Sequence, residues 1–245
     1  MKMDENKWNV ELLNKNENKK PVVAIGDVHG LTKWKDIVEE HEDCTIVFLG
    51  DYLDPYEYIT REQQLANLSD IIGLKKERMD SVVLLLGNHD LHYFCEKALP
   101  GSRYDFQIEK DAEAMFCGNI ELFQYAFQQG NFIFTHAGIQ HSWFVNDFKG
   151  DLSKPIADQL NSPKPEQLDA LFRLGRARGG RIGDIGGIFW ADISELTDPL
   201  HGYTQIVGHN RVADITERMG HHDNKIIFCD CLFKGKTVFL TQTGN

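Results

Sequence analysis

The sequence predicts an α/β fold with a mostly parallel sheet, and three observations support this. Short apolar runs rich in branched or aromatic residues are typical of buried strands, and they occur at 22–25, 45–49, 82–86, 132–135 and 205–207. Segments of helical length and pattern separate the first three runs, at Trp34 to Glu42 and Glu62 to Lys76. Residues 226–241 resemble two strands joined by the turn Lys234-Gly235-Lys236, which predicts a second, more antiparallel sheet.

Two intervals are longer than ordinary connections of about 4–6 residues, and such excursions in compact domains are often functional. Residues 91–130 are predicted to be helical around Asp111 to Gln128, and residues 150–187 to form a helix followed by a loop. Either interval is expected to shape a substrate pocket. Residues 1–20 are polar and lack sustained apolar periodicity, so we expect a lead-in there and a single domain over residues 21–245.

Composition excludes several classes of function. The formal net charge of −11 argues against a surface for extended nucleic acid or anionic lipid, although a short nucleotide fits a local site. No apolar run approaches the roughly 18 residues of a membrane span. The polar N-terminus and the odd, scattered cysteines favour a reduced, cytoplasmic protein, and these cysteines are Cys44, Cys95, Cys117, Cys229 and Cys231. The oligomeric state is left open.

Almost every apolar run ends at a glycine close to residues that bind metals, as in IGDVHG, FLGDYLD, LLGNHD, FTHAGI and IVGHN. Because the carboxyl ends of the strands in a wound α/β sheet converge on one edge, these side chains are expected to meet there. Taken singly, each motif also has a structural explanation, such as a turn with Asp27 as a helix cap, a helix start at Asn88, or a histidine bonded to backbone. Five such endings in one chain favour the metal interpretation.

The donor chemistry indicates hard or borderline divalent ions, because carboxylate, imidazole and amide groups suit Mn, Fe, Zn or Mg. The candidate ligands are Asp27, His29, Asp51, Asn88, His136 and His209. Six ligands are too many for one open catalytic site, so we expect two ions about 3.5–4 Å apart. Asp51 is central in the order of the motifs and is the expected bridge. Mn is the first candidate for both ions.

This ordered set of motifs over residues 21 to about 241 resembles the calcineurin-like metallophosphoesterases, and more closely their phosphoprotein-phosphatase branch and its bacterial relatives. The resemblance implies a four-layer αββα sandwich of two central mixed sheets flanked by helices. It implies that Asp27 and His29 hold the first ion, that Asp51 bridges, and that Asn88, His136 and His209 hold the second. It also implies that His89 is the general acid and that Asp54 orients it; a histidine satisfied beside Asp90 is the structural alternative.

The expected reaction is hydrolysis of a phosphomonoester on a small molecule, nucleotide or phosphoprotein, by hydroxide that two metal ions activate, with His89 protonating the leaving group. Dinucleoside polyphosphate hydrolysis and a non-catalytic scaffold are the alternatives. A phosphodiesterase is less favoured because many such relatives end in GHxH, whereas this chain reads GHNR.

The chain departs from the phosphoprotein phosphatases at the second motif. Those enzymes read GDYVDRG, with an arginine that grips the substrate phosphate, and Pro55 occupies that position here. A cluster of arginines within FRLGRARGGRIGDIGG offers a replacement, since guanidinium binds phosphate oxygens bidentately. Arg178 and Arg181 are the candidates, and a solvated helix face followed by a flexible loop is the structural alternative.

Overall fold

Two mixed β-sheets lie at the centre of the molecule, with helices on the outside. The structure is a computed structural model that describes residues 7–12 and 20–242, with side chains from 20 to 240. The predicted αββα arrangement of two mixed sheets is confirmed. The boundary predicted at residue 20 stays a prediction, although the strand at residues 7–12 joins the first sheet.

The first sheet is mostly parallel. Its strands, in spatial order, are β1 (Lys7–Leu12), β11 (Thr237–Gln242), β2 (Val22–Ile25), β3 (Thr45–Phe48), β4 (Val82–Leu85) and β5 (Phe123–Gln124). Neighbours from β2 to β5 are parallel, and β11 runs antiparallel to β2. The carboxyl ends of β2, β3 and β4 therefore lie at one edge.

The second sheet combines parallel and antiparallel pairs. Its strands, in spatial order, are β6 (Ala126–Gln129), β7 (Phe132–Thr135), β8 (Thr204–Arg211), β10 (Lys225–Asp230) and β9 (Thr216–Met219). The pairs β7–β8 and β8–β10 are parallel, so the ends of β7 and β8 also point the same way.

The helices are short except for one. They are α1 (Trp34–Glu40), α2 (Arg61–Glu77), α3 (Asn88–Leu91), α4 (Glu109–Cys117), α5 (Ile156–Asn161) and α6 (Leu168–Leu171). Single helical turns occupy Ile120–Leu122, Trp143–Asp147, Pro165–Gln167, Arg176–Arg178 and Leu232–Lys234. No helix in the described part of the chain is long and apolar enough to cross a membrane.

The strands of the first sheet are apolar on both faces. Along β2, Val23 and Ile25 pack towards α1 and α2, whereas Val22 and Ala24 lie in the layer shared with the second sheet. This alternation follows from the two-residue period of a strand. Because both faces are buried, such strands read as continuous apolar runs, and this explains why the sequence located β2, β3, β4 and β7 so well.

Two predictions of local structure hold only in part. The two strands predicted within residues 226–241 are present, but they do not share one sheet, because β10 pairs in the second sheet and β11 in the first. Ile227 of β10 and Val238 of β11 both lie in the apolar layer between the sheets, a placement that their apolar pattern permits equally well. The helix predicted around Asp111 to Gln128 ends at Cys117, because Phe123 and Ala126 pair with β4 and β7 and tertiary pairing outweighs the local pattern.

Candidate metal centre

All eight predicted metal-binding and catalytic residues lie at one edge of the two sheets. The ends of β2, β3 and β4 supply residues from the first sheet, and the end of β7 and the last part of β8 supply His136 and His209 from the second. Five of the six predicted ligands are less than 5% exposed, and His209 is partly buried. The convergence of strand ends that the sequence predicted is therefore present in the fold.

A first group of donors consists of Asp27, His29 and Asp51. Their ligand atoms lie within 4.8 Å of one another. His29 Nε2 is 3.8 Å from one carboxylate oxygen of each aspartate. Three converging donors from two adjacent strand ends form a site that could hold one ion.

A second group shares Asp51 with the first. Asp51, His136 and His209 also bring their ligand atoms within 4.8 Å of one another. Asn88 Oδ1 lies 3.0 Å from His136 Nε2 and 2.9 Å from His209 Nδ1, so the amide belongs to the same group. Asp51 is the one predicted ligand common to both groups.

The hydrogen bonds of the imidazoles leave lone pairs aimed into the two groups. His29 Nδ1 is 2.8 Å from the Leu53 carbonyl and His136 Nδ1 is 2.8 Å from the Leu49 carbonyl. Because a carbonyl only accepts, each Nδ1 carries the proton, and each Nε2 of the neutral ring presents a lone pair. Those lone pairs face other acceptors, such as Asp51 Oδ2 at 3.5 Å from His136 Nε2. A divalent cation is the partner that such a set of acceptors requires, so the residues present fit metal ions.

Electrostatics at the centre agrees with this reading. Burial lowers the pKa of His29 and of His136 to about 3, which keeps both rings neutral and able to coordinate. Burial and then neighbouring carboxylates raise the pKa of Asp27 and of Asp51. Bound cations would reverse that effect, since opposite charge favours the ionised carboxylate.

The backbone around the ligands is held in uncommon conformations. His29, Asp51, Asp54 and His209 have positive φ angles of 43°, 53°, 60° and 62°. Such angles are uncommon outside glycine and cluster at functional sites. A side chain at Gly87 would overlap the Asp51 carboxylate, so the glycine before Asn88 permits the close approach.

Asp90 is a supporting residue that the sequence analysis named only as a neighbour of His89. Its carboxylate accepts 2.8 Å hydrogen bonds from the backbone N–H groups of Gly87, Asp51 and Tyr52. It therefore fixes the loop after β3 to the loop after β4. The GNHD motif contained this residue, but its cross-chain role needs the fold.

His89 and Asp54 form the predicted pair. His89 Nδ1 is 2.7 Å from Asp54 Oδ2, so Nε2 is the nitrogen left for a substrate. Asp54 also lies 2.9 Å from His92 Nε2 and accepts a short hydrogen bond from Tyr93 Oη. Burial alone would raise the pKa of Asp54, but the hydrogen bonds from His89 and His92 outweigh it and lower that pKa. His92 and Tyr93 lie two and three residues after the GNHD motif, and neither was predicted from the sequence.

The predicted arginines separate. Arg178 donates a 2.8 Å hydrogen bond to Asn210, the neighbour of His209, and its Nε is 2.9 Å from Asp192. Arg181 lines a different cleft, of about 540 Å³, beside Leu99. Arg178 thus lies beside the loop of His209 and Arg181 does not, and the phosphate-binding part assigned to both arginines stays a prediction.

Two further arginines at the mouth were not singled out from the sequence. Arg103 and Arg211 have their guanidinium carbons 3.7 and 4.2 Å from the centroid of the Tyr56 ring. Arg103 belongs to the long interval 91–130, and the length of that interval was the one signal in the sequence that pointed to it. Arg211 is the residue immediately after the GHN motif.

The fold and the clustered ligands define a metal-dependent hydrolase. The profile of the calcineurin-like phosphoesterases matches residues 20–225, so the chain belongs to that family. It is therefore a metallophosphoesterase, which hydrolyses phosphoesters with the help of metal ions.

Two solved structures are reported for their similarity to this chain. A cold-active protein-tyrosine phosphatase from a psychrophilic Shewanella species has a TM-score of 0.54 and 17% identity, over 95% of this chain and 75% of that one. A protein serine/threonine phosphatase from Saccharomyces cerevisiae has a TM-score of 0.42 and 15% identity, over 92% of this chain and 68% of that one. No curated protein matches the chain significantly. At these identities the Shewanella enzyme supports the fold alone.

Proposed function

We propose that this protein hydrolyses phosphomonoesters at a centre of two divalent metal ions, with His89 as the general acid. One observation carries the proposal: two groups of metal donors share the buried carboxylate of Asp51. A carboxylate common to two ligand groups is what a bridged pair of ions requires.

The ligand assignment follows the two groups. Asp27, His29 and Asp51 would hold the first ion; the second would be held by Asp51, Asn88, His136 and His209. Ions bound there supply positive charge for the phosphate oxygens and acidify the attacking water. Oxygen and imidazole donors suit Mn, Fe, Zn and Mg alike. We propose manganese as the first metal to test, with Fe, Zn or Mg as alternatives.

His89 would deliver the proton to the leaving oxygen from Nε2. Its Nδ1–H bond to Asp54 fixes the ring orientation, and the carboxylate stabilises the charged imidazole. Burial lowers the pKa of His89, and the bond to Asp54 opposes that shift. A bound phosphate dianion beside Nε2 adds negative charge, which favours the protonated form needed at the start of the reaction.

Arg178 is the proposed binding residue for the substrate phosphate on the side of His209. Asn210 and Asp192 orient its guanidinium, and about a third of the side chain remains exposed to an incoming anion. The substrate itself is proposed as a phosphorylated small molecule, a nucleotide or a phosphoprotein; the Shewanella neighbour is named as a protein-tyrosine phosphatase. A cytoplasmic location is likewise a proposal.

A phosphoanhydride hydrolase is the second candidate. Arg103, Arg178 and Arg211 approach the mouth from three separate segments, and three cations suit a substrate with more than one phosphate. Dinucleoside polyphosphates should then compete with monoesters.

The test is turnover of para-nitrophenyl phosphate against bis-para-nitrophenyl phosphate with added Mn²⁺, with and without a chelator. We expect the monoester to be preferred and the chelator to abolish the activity. Activity that survives complete chelation would exclude the metal mechanism, and a preference for the diester would exclude the monoesterase assignment.

A further inference from the structure

The second motif of this chain carries no arginine, so a guanidinium that binds the substrate phosphate would have to come from another segment. Pro55 stands where the resemblance leads one to expect the guanidinium, and a proline has neither charge nor an N–H group. The residue after it, Tyr56, is 47% exposed and its ring reaches the metal centre, with its centroid 5.0 Å from that of His29. Tyr56 therefore connects the loop that lacks the arginine to the metal centre.

Arg103 lies against that ring. Its guanidinium carbon is 3.7 Å from the Tyr56 centroid, and its Nε donates a 3.0 Å hydrogen bond to the Asp54 carbonyl oxygen. The ring and the carbonyl hold the plane of the guanidinium in place and use only one of its five N–H donors. The backbone at Arg103 has a φ of 65°, an uncommon value for a residue other than glycine.

Of the two terminal nitrogens, Nη1 donates a 3.4 Å hydrogen bond to Ser102 Oγ, and Nη2 points at the catalytic side of the site. Nη2 of Arg103 is 3.4 Å from His89 Nε2, the nitrogen proposed to protonate the leaving group. Arg103 is solvent-exposed whereas His89 is buried, so an anion arriving from solvent meets the guanidinium first. An oxygen seated between the two nitrogens would accept a hydrogen bond from each.

Arg103 makes no ion pair with any carboxylate in the part of the chain whose side chains are described, which distinguishes it from Arg178, whose Nε pairs with Asp192. An exposed guanidinium with free N–H donors, fixed beside a catalytic imidazole, is suited to bidentate binding of phosphate oxygens.

We propose that Arg103 binds the phosphoryl group of the substrate and so takes the part of the arginine that Pro55 replaces. The ligand class is a phosphate with at least two anionic oxygens, a monoester or a terminal phosphate of an anhydride. Arg103 contacts the non-bridging oxygen nearest the leaving oxygen, and Arg178 lies beside Asn210, the neighbour of His209. This inference rests on the proposed function for the identity of the substrate, but the phosphate affinity of Arg103 can be measured on its own.

The experiment compares Arg103→Ala, Arg103→Lys and the control Arg176→Ala. Arg176 carries an exposed guanidinium paired with Asp184, so its loss removes an equal charge from another loop. Binding of inorganic phosphate to the manganese-loaded protein is measured by calorimetry, and KM and kcat are measured with para-nitrophenyl phosphate. Metal content and Tm report whether the variants keep their structure.

We expect Arg103→Ala to weaken phosphate binding and raise KM by about 10- to 100-fold, the range for hydrogen bonds to a charged group. Arg103→Lys should recover part of the affinity, because it restores the charge without the planar fork. Arg176→Ala should change either quantity less than about twofold, as a substitution without a contact to the ligand does.

Unchanged phosphate affinity in Arg103→Ala overturns the inference. So does a fall in kcat alone that Arg103→Lys restores, since that pattern means that Arg103 only holds Asp54 and His89 in position. A wild-type protein that binds no phosphate also overturns it. A wild-type protein that binds phosphate through Arg103 but hydrolyses no phosphoester overturns the proposed function and leaves the inference standing.

Discussion

The metal cradle and the arginine rim are built in different ways. The cradle, formed by the six proposed ligands, takes its residues from positions at the ends of five strands, and all but His209 are almost fully buried. The rim, formed by Arg103, Arg178 and Arg211, takes two of its three residues from long excursions between strands, and its side chains are partly or largely exposed.

The difference has a physical cause. A ligand that directly follows a buried strand inherits its position from the hydrogen-bonded sheet, so a short local motif is enough to place it. A rim arginine is placed by its contacts with distant groups, for example the Asp54 carbonyl for Arg103 and Asn210 for Arg178. Substitutions in the cradle are therefore expected to abolish metal binding, whereas substitutions in the rim are expected to change substrate affinity.

The largest effect is expected from Asp51→Asn. The amide keeps the shape of the side chain but removes the charge that both ligand groups share. The affinity for both ions should therefore fall. We expect at least a 100-fold fall in kcat/KM, since even supporting residues around a metal cost about 10- to 100-fold. Metal content by elemental analysis is the measurement, and the exposed Asp151→Asn is the control. Full metal occupancy in Asp51→Asn would contradict the shared role.

The next effect is expected from His89→Asn, which alters the chemistry and leaves the cradle intact. Loss of a general acid lowers kcat by about 10²- to 10⁴-fold. The loss should be larger for phenyl phosphate than for para-nitrophenyl phosphate, because the poorer leaving group depends more on the proton. Metal content should be unchanged, and the exposed His221→Asn serves as the control. Equal losses on both substrates would argue that His89 acts in another way.

A smaller effect is expected at the rim. Arg178→Ala should raise KM about 10-fold with little change in kcat, as the loss of a charged hydrogen bond implies. Arg181→Ala should raise KM less, because Arg181 lines a separate cleft. Steady-state kinetics with a phosphomonoester decides between them, and a larger effect at Arg181 would move the phosphate site towards that cleft.

The smallest effect concerns the loop that follows His136. His141 stacks on His201 with ring centroids 3.4 Å apart, and Asp198 and His222 also face this pair. Burial and then His201 lower the pKa of His141 below its unfolded value. The unfolded chain therefore binds more protons, and the stabilisation is present above a pH of about 6.5 and is lost as the pH falls below it.

Thermal unfolding at pH 8 and pH 5 can check this sign. The wild type should lose more Tm between the two values than His141→Asn does, with both proteins under the same metal conditions. Other buried histidines titrate in both proteins and cancel in the comparison. An equal loss in the two proteins would exclude this contribution of His141.

Much of the fold could be read from the chain, and the errors are instructive. The strands β2, β3, β4 and β7 were located because continuous apolar runs mark strands buried on both faces. The two strands predicted within residues 226–241 are present, but their placement in different sheets was not predicted, because apolar alternation does not say which strand a given strand pairs with. The helix predicted beyond Cys117 failed because edge pairing to β4 and β7 overrode the local pattern.

The sequence by itself determined the donors of the cradle and their chemistry. Asp27, Asp51, Asn88, His136 and their neighbours follow strands directly, and strand ends meet at one edge in any wound sheet. Only the tertiary structure decided that the Asp90 carboxylate binds the backbone of two loops and that His92 and His89 both contact Asp54. It also decided that Arg103 lies beside His89, whereas Pro55 has no side chain that could bind a phosphate. Each of these contacts joins residues from different loops or elements, so its geometry is fixed only when the packed elements bring them together.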